Sequence, residues 1–171
     1  MPDLLTLDRL NTAPPDELAA VLRTCNTSPA WAGRLLAGRP FAGVDDAVAA
    51  AGKAVLALDA TEIDAALAGH PRIGERPGGA HADGAAFSRR EQSGIGSGSG
   101  GDAATRLAAG NAAYEDRFGH VFLIRAAGRD AGEVLAELER RLGNDPATER
   151  TEAAGQLAEI TELRMRQVLA G

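Results

Sequence analysis

The feature that most constrains this 171-residue chain is a set of helix starts with complete caps. Asp59 with Glu62, and Asp130 with Glu133, have capping-box spacing, in which each side chain accepts from the other residue's backbone N–H. Ser28-Pro29 and Asp145-Pro146 place a cap before a proline at the first helical position, where the missing N–H was unpaired anyway. Behind these starts the apolar residues recur at helical spacing. Val134, Leu135, Leu138 and Leu142 run up to Gly143, and Leu157, Ile160 and Val168 mark the final helix, which extends to about Leu169.

The residues available for a core point the same way. Hydrophobic residues make up 44% of the chain but aromatics only 4%, so the core is built from Ala, Leu, Val and Ile. Small side chains let helices approach closely, and runs of β-branched residues are scarce. The expected fold is all-α: one domain over residues 1–171, a bundle of about eight helices.

The remaining elements follow from local signals. Pro14 and Pro15 precede Asp16-Glu17 and a stripe of Leu18, Val21 and Leu22. The helix from Ser28 carries Trp31, Leu35 and Leu36 and is broken at Arg39-Pro40-Phe41. Asp45-Asp46 open a helix through Val48, Val55 and Leu58. The helix from Asp59 ends near Ala68-Gly69, which puts His70 at its exit. Residues 71–87 have no helical period and read as a loop. Ser88-Arg89-Arg90-Glu91 has capping-box spacing and reads as a new helix start. Residues 93–101 are rich in Gly and Ser and read as a flexible surface loop, with an active-site lid as the alternative. Asp102 opens a long helix to about Phe118, stopped by Gly119. Val121-Phe122-Leu123-Ile124 is expected to be a connector buried in the core.

Charge and cysteine content narrow the function. The net charge of −6, with no Lys/Arg cluster interleaved with aromatics, argues against nucleic acid as a partner. Cys25 is the sole cysteine, so no intrachain disulfide forms. No apolar run approaches the ~18 residues of a membrane span. No basic segment precedes an apolar run of about 7–15 residues at the N-terminus. A cytoplasmic location, away from membranes, is the expectation. No metal is expected: His70 and His81 are separated by a loop, no His-Glu-x-x-His occurs, and the sole cysteine is remote. Phosphate-cradling and dinucleotide glycine patterns are absent.

Candidate chemistry gathers around His70, Glu91 and Arg164. His70 has two open readings. It is either a helix C-terminal histidine stabilised by the dipole, or a general acid/base presented in a set direction by Pro71. Glu91 is either a cap for Ser88 or a site carboxylate, and Gln92 is not needed for a cap. Arg164 shares an apolar face with Leu157, Ile160 and Val168, whereas Arg166 points the other way. Arg164 must therefore snorkel, pair with a structural carboxylate, or bind an anionic ligand. Asn111, beside Leu107 and Tyr114, is expected to make a buried structural hydrogen bond.

Several segments together resemble the 2-oxo-4-hydroxy-4-carboxy-5-ureidoimidazoline (OHCU) decarboxylase family. They are Arg39-Pro40-Phe41, His70 to Gly74, Ser88 to Gln92, Asn111 to Gly119, Phe122 to Ala126 and Ile160 to Arg164, in family order across nearly the whole chain. The resemblance implies an all-α homodimer that converts a small ureido-imidazoline substrate to (S)-allantoin without a cofactor. It makes His70 the catalytic acid/base and Glu91 its partner, with Arg164 completing the site. Pro71, Ser88, Arg89, Arg90, Gln92, Phe122, Leu123, Ile124, Arg125 and Ala126 would line the ligand, largely through backbone groups. Ile73 and Arg125 depart from the residues usual in the family. The competing readings are a non-catalytic ureide- or purine-binding module and a helical interaction protein.

Overall fold

The computed structural model describes residues 4–75, 84–96 and 101–170, and the description below concerns those residues. Ten helices follow one another: α1 (Leu7–Thr12), α2 (Pro15–Cys25), α3 (Pro29–Ala37), α4 (Val44–Leu56), α5 (Ala60–Ala68), α6 (Ala85–Glu91), α7 (Ser93–Gly96), α8 (Gly101–Phe118), α9 (Ala131–Leu142) and α10 (Pro146–Leu169). Among the described residues there is no strand. The all-α expectation holds. The two helices beyond eight are the short α1 and α7.

Local chemistry explains most boundaries. Both capping boxes form: Asp59 Oδ1 accepts from Glu62 N at 2.8 Å, and Asp130 Oδ1 accepts from Glu133 N at 2.9 Å. In each, the glutamate returns to the backbone N–H of its aspartate at 2.9 Å. Ser28 and Asp145 cap α3 and α10 ahead of their prolines. Gly119 takes φ +77° after α8, the left-handed value expected of a glycine stop.

Four expectations are corrected. Ser88 is not a helix cap. Helix α6 begins at Ala85 behind Gly84, and Ser88 donates its backbone N–H to Gly84 O at 3.0 Å as an interior residue. Residues 85–87 are therefore helical rather than loop. In the Gly/Ser stretch, Ser93–Gly96 forms a helical turn and Gly101 already belongs to α8; residues 97–100 lie outside the described set, as does His81. Finally, Leu58 lies past the end of α4, and Thr6 caps a helix α1 that the sequence pattern did not mark.

Two apolar clusters form the interior. The first joins α1 to α5 with α10 around Trp31, Leu35, Leu157 and Met165. The second joins α7, α8 and α9 around Tyr114, Phe122 and Leu138. The extended connector after Gly119 joins them. Successive side chains of an extended chain point to opposite sides, so Phe122 and Ile124 enter the second cluster while Leu123 enters the first. Where α10 crosses α4, Gly52 leaves room for the Glu162 side chain; a Cβ there would sit 1.8 Å from Glu162 Oε1.

Candidate functional site

Helix α5 ends at Gly69, where a Cβ would fall 2.3 Å from Thr27 Oγ1. The chain then turns, with His70 N donating to Leu67 O at 3.0 Å. His70 is 5% exposed. It lines a cavity of about 760 Å³ together with Asp64, Glu115, Asp116 and His120. Beside it lies a second cavity of about 750 Å³, lined by Ile73, Gly74, Arg89, Gln92 and Asn111 among others. The two share Arg72, Glu75, Glu115 and Asp116 as common wall.

The wall is a two-pronged ion pair. Arg72 Nε and Nη2 reach Glu115 Oε1 and Oε2 at 2.6 and 2.8 Å, the fork geometry that guanidinium and carboxylate share. Hydrogen bonding to Arg72 holds the Glu115 carboxyl below its ordinary value, so the shared wall is an ionised pair near neutral pH, with the carboxylate charge balanced by the guanidinium beside it. Asp64 and His120 were not singled out by sequence reasoning. Their only signals were positions one helical turn before Ala68 and directly after Gly119.

Glu91 and Arg164 meet inside the protein. Arg164 Nε and Nη2 donate to Glu91 Oε1 and Oε2 at 2.8 and 2.9 Å. Nη2 also donates to Ser88 Oγ at 3.1 Å, and Nη1 faces Thr24 O at 3.4 Å. The guanidinium lies 5.8 Å from the centre of the Phe87 ring. Of the roles open to Arg164, the geometry takes the structural pair: each of its three nitrogens is occupied, and the residue is 4% exposed. The pair ties α6 to α10. Gly84 permits this, because its φ of +73° and missing Cβ let the start of α6 lie on Thr24 O and Arg164 Nη1. Arg166 is on the other side of α10, exposed and paired with the exposed Asp45 at 2.7 Å. Cys25 is buried near this pair, and burial pushes its thiol up to about 12, so it remains a neutral, inert thiol.

The other candidate residues divide. Pro71 and Ser88 are buried; Arg89 and Arg90 are exposed. Gln92 accepts from Gly74 N at 3.0 Å and so links the end of α6 to the His70 turn. Phe122, Leu123, Ile124 and Ala126 are buried in the two cores, and none lines either of these two cavities. The Arg125 side chain is exposed; its backbone N donates to Gln156 Oε1 at 2.8 Å. Asn111 makes the expected structural bond, donating from Nδ2 to Ile73 O at 2.9 Å.

A helical domain that presents a nearly buried histidine to a carboxylate-lined cavity belongs to a class suited to acid–base chemistry on a small molecule. A family model described as OHCU decarboxylase matches residues 11–166. A 2-oxo-4-hydroxy-4-carboxy-5-ureidoimidazoline decarboxylase of Amia calva is 33% identical over 144 residues, covering 82% of this chain and 81% of the relative. A protein of the same name from Haloferax volcanii is 28% identical over 164 residues, covering 95% of each. A crystal structure of OHCU decarboxylase in the presence of (S)-allantoin superposes with a TM-score of 0.75 at 29% identity, over 91% of this chain and 99% of that one. The chain belongs to the OHCU decarboxylase family.

Proposed function

We propose that this protein is a carboxy-lyase that converts 2-oxo-4-hydroxy-4-carboxy-5-ureidoimidazoline to (S)-allantoin in urate breakdown, with His70 as the acid/base. Family membership over residues 11–166 supports the reaction. The observation that carries the role of His70 is its placement: nearly buried, at a helix exit fixed by Gly69, on the wall of a cavity with ionised carboxylate.

The substrate bears a carboxylate and a hydroxyl on one ring carbon. Breaking the bond to the carboxylate releases CO2, and the electron pair passes to the neighbouring ring carbon and its imine nitrogen. The substrate is thus its own electron sink. What remains is to orient the carboxylate, stabilise the enol and deliver a proton to one face. His70 would take the hydroxyl proton or supply the stereospecific one. In this reading Arg164 acts through Glu91, holding it and α6 in place, while Gln92 connects α6 to the histidine turn. The family resemblance also supports a homodimer, which light scattering on the purified protein would test.

His70→Asn is the experiment for the central claim. It removes the titratable ring and keeps a polar side chain. With substrate made in situ from urate and (S)-allantoin followed by circular dichroism, turnover should fall at least ~10²-fold, the scale of a positioned acid/base. Near-normal turnover in a folded variant would remove His70 from the mechanism.

A further inference from the structure

Three consecutive residues after Pro71 are each held by one row of α8. Arg72 is paired with Glu115, Ile73 O accepts from Asn111 Nδ2, and Gly74 approaches Leu107 so closely that a Cβ would lie 3.1 Å from Leu107 Cδ2. Leu107, Asn111 and Glu115 are spaced by four, so they lie one above another on the helix. The three contacts thus follow α8 in reverse chain order, through a long side chain at Arg72 and through the backbone at Ile73 and Gly74, with φ +91° at Gly74.

Asn111 is the polar member of that row with no charge. It is buried, and its Oδ1 has no hydrogen-bond partner among the described residues. The amide orientation is determined by its one bond, because Ile73 O can only accept and so must face the NH2 group. A buried amide with one idle acceptor is a poor choice for stability, since an unsatisfied polar atom is penalised. Leucine would fill the same space.

We infer that Asn111 is a positioning residue for the reaction: its Nδ2 sets the place of the turn three residues after His70, and with it the direction of the imidazole. This rests on the role proposed above for His70. Glu115 cannot do the same alone, because its partner Arg72 is a long, half-exposed side chain, whereas Asn111 grips the backbone itself.

The test is Asn111→Leu, with Asn111→Asp, assayed at pH 8, as the shape-conserving second variant, whose ionised carboxylate cannot donate to Ile73 O. Leucine exchanges one unsatisfied atom, Oδ1, for another, Ile73 O, so the midpoint of thermal unfolding should stay within about 4 °C of wild type. Misplacement of a reacting group by about 1 Å can cost up to ~10²-fold. We therefore expect kcat to fall at least about tenfold while KM moves less than about threefold. The His70 ring resonances should also shift in NMR spectra of the apo-protein, where only three histidines need assignment. A folded variant with wild-type kcat, or with unmoved His70 resonances, overturns the inference. So does loss of folding in both variants, which would make Asn111 purely structural. If His70→Asn proves active, it is the acid/base reading that fails, and the NMR shift still reports whether Asn111 sets the histidine.

Discussion

Among the described residues two buried arginine–glutamate pairs stand out, and they contrast in how they are enclosed and in what they join. Arg141 and Glu149 are 8 residues apart and join α9 to the first turns of α10; Arg164 and Glu91 are 73 apart and join α10 to the seven-residue helix α6. The first pair is enclosed by further partners. Tyr114 Oη donates to Glu149, Asn144 Nδ2 reaches Glu149 Oε2 at 3.0 Å, Arg141 Nη1 donates to Leu123 O at 2.7 Å, and the guanidinium stands 4.6 Å from the Phe122 ring centre. Among the described residues the second pair has fewer partners: the Ser88 hydroxyl, the Thr24 carbonyl and the Phe87 ring. One pair is the centre of a polar network; the other is a single tie to a short element. The same two side chains serve cohesion in one place and alignment in the other.

Replacing each pair by two methionines should break them apart most clearly. Apolar replacement of a buried ion pair is often neutral or stabilising by about 1–4 kcal/mol. Arg164→Met with Glu91→Met orphans few groups, so the fold should survive while turnover is lost. Arg141→Met with Glu149→Met leaves Tyr114 Oη, Asn144 Nδ2 and Leu123 O without these partners, at about 1–3 kcal/mol for each group left buried and unsatisfied. That variant should lose most of its stability. Equal unfolding midpoints for the two double variants would erase the distinction.

Glu91→Gln sharpens it further. Read as a cap, Glu91 would tolerate this change with little effect on stability. Paired with Arg164, it leaves a buried cation without its counter-charge, and a loss of about 1.5–3 kcal/mol is expected. If Glu91 also supports the protonated imidazole of His70, the pH profile of turnover should move toward lower pH, because removing a carboxylate lowers a histidine pKa. A thermal scan and a pH–rate profile of one protein separate the two effects. An unmoved profile would confine Glu91 to its tie with Arg164.

The smallest effect is expected at the cavity wall. Glu115 has its folded pKa lowered by Arg72 below the ordinary 4.5. A depressed carboxyl contributes stability that is fully present above its unfolded value and is lost as pH falls through the folded one. Glu115→Gln should therefore leave thermal stability near pH 7 slightly lower and reduce its fall below about pH 4.5, relative to wild type. The effect is modest because Arg72 is half exposed and solvent screens the pair. An acid limb identical to wild type would show that the pair adds nothing to stability.

These contrasts mark what could be read from the chain directly. The boxes at Asp59 and Asp130 were legible because both partners lie within one turn, and nothing distant competes for them. Ser88 and Glu91 have the same spacing, yet both side chains turn to Arg164, far along the sequence. The spacing alone cannot reveal that competition. Arg164 stood out on its apolar stripe, and a partner was demanded by burial, but the identity of that partner required the fold. The start of α6 was missed because it rests on a glycine with positive φ seated on Thr24 O, a contact with no local trace. The row of Leu107, Asn111 and Glu115 was visible as one face of α8, while the chain lying against it was not.

The alternating connector limits how this chain could change in length. Phe122 and Ile124 belong to one core and Leu123 to the other, so inserting or deleting a single residue there would turn over the rest of the connector and present each core with the wrong side chain. Chain length at that point is therefore under as tight a constraint as side-chain identity. The backbone supplies the reason: Leu123 O must meet Arg141 and Arg125 N must meet Gln156, two appointments on different helices. A change of register would miss both, whatever residues were chosen to fill the gap.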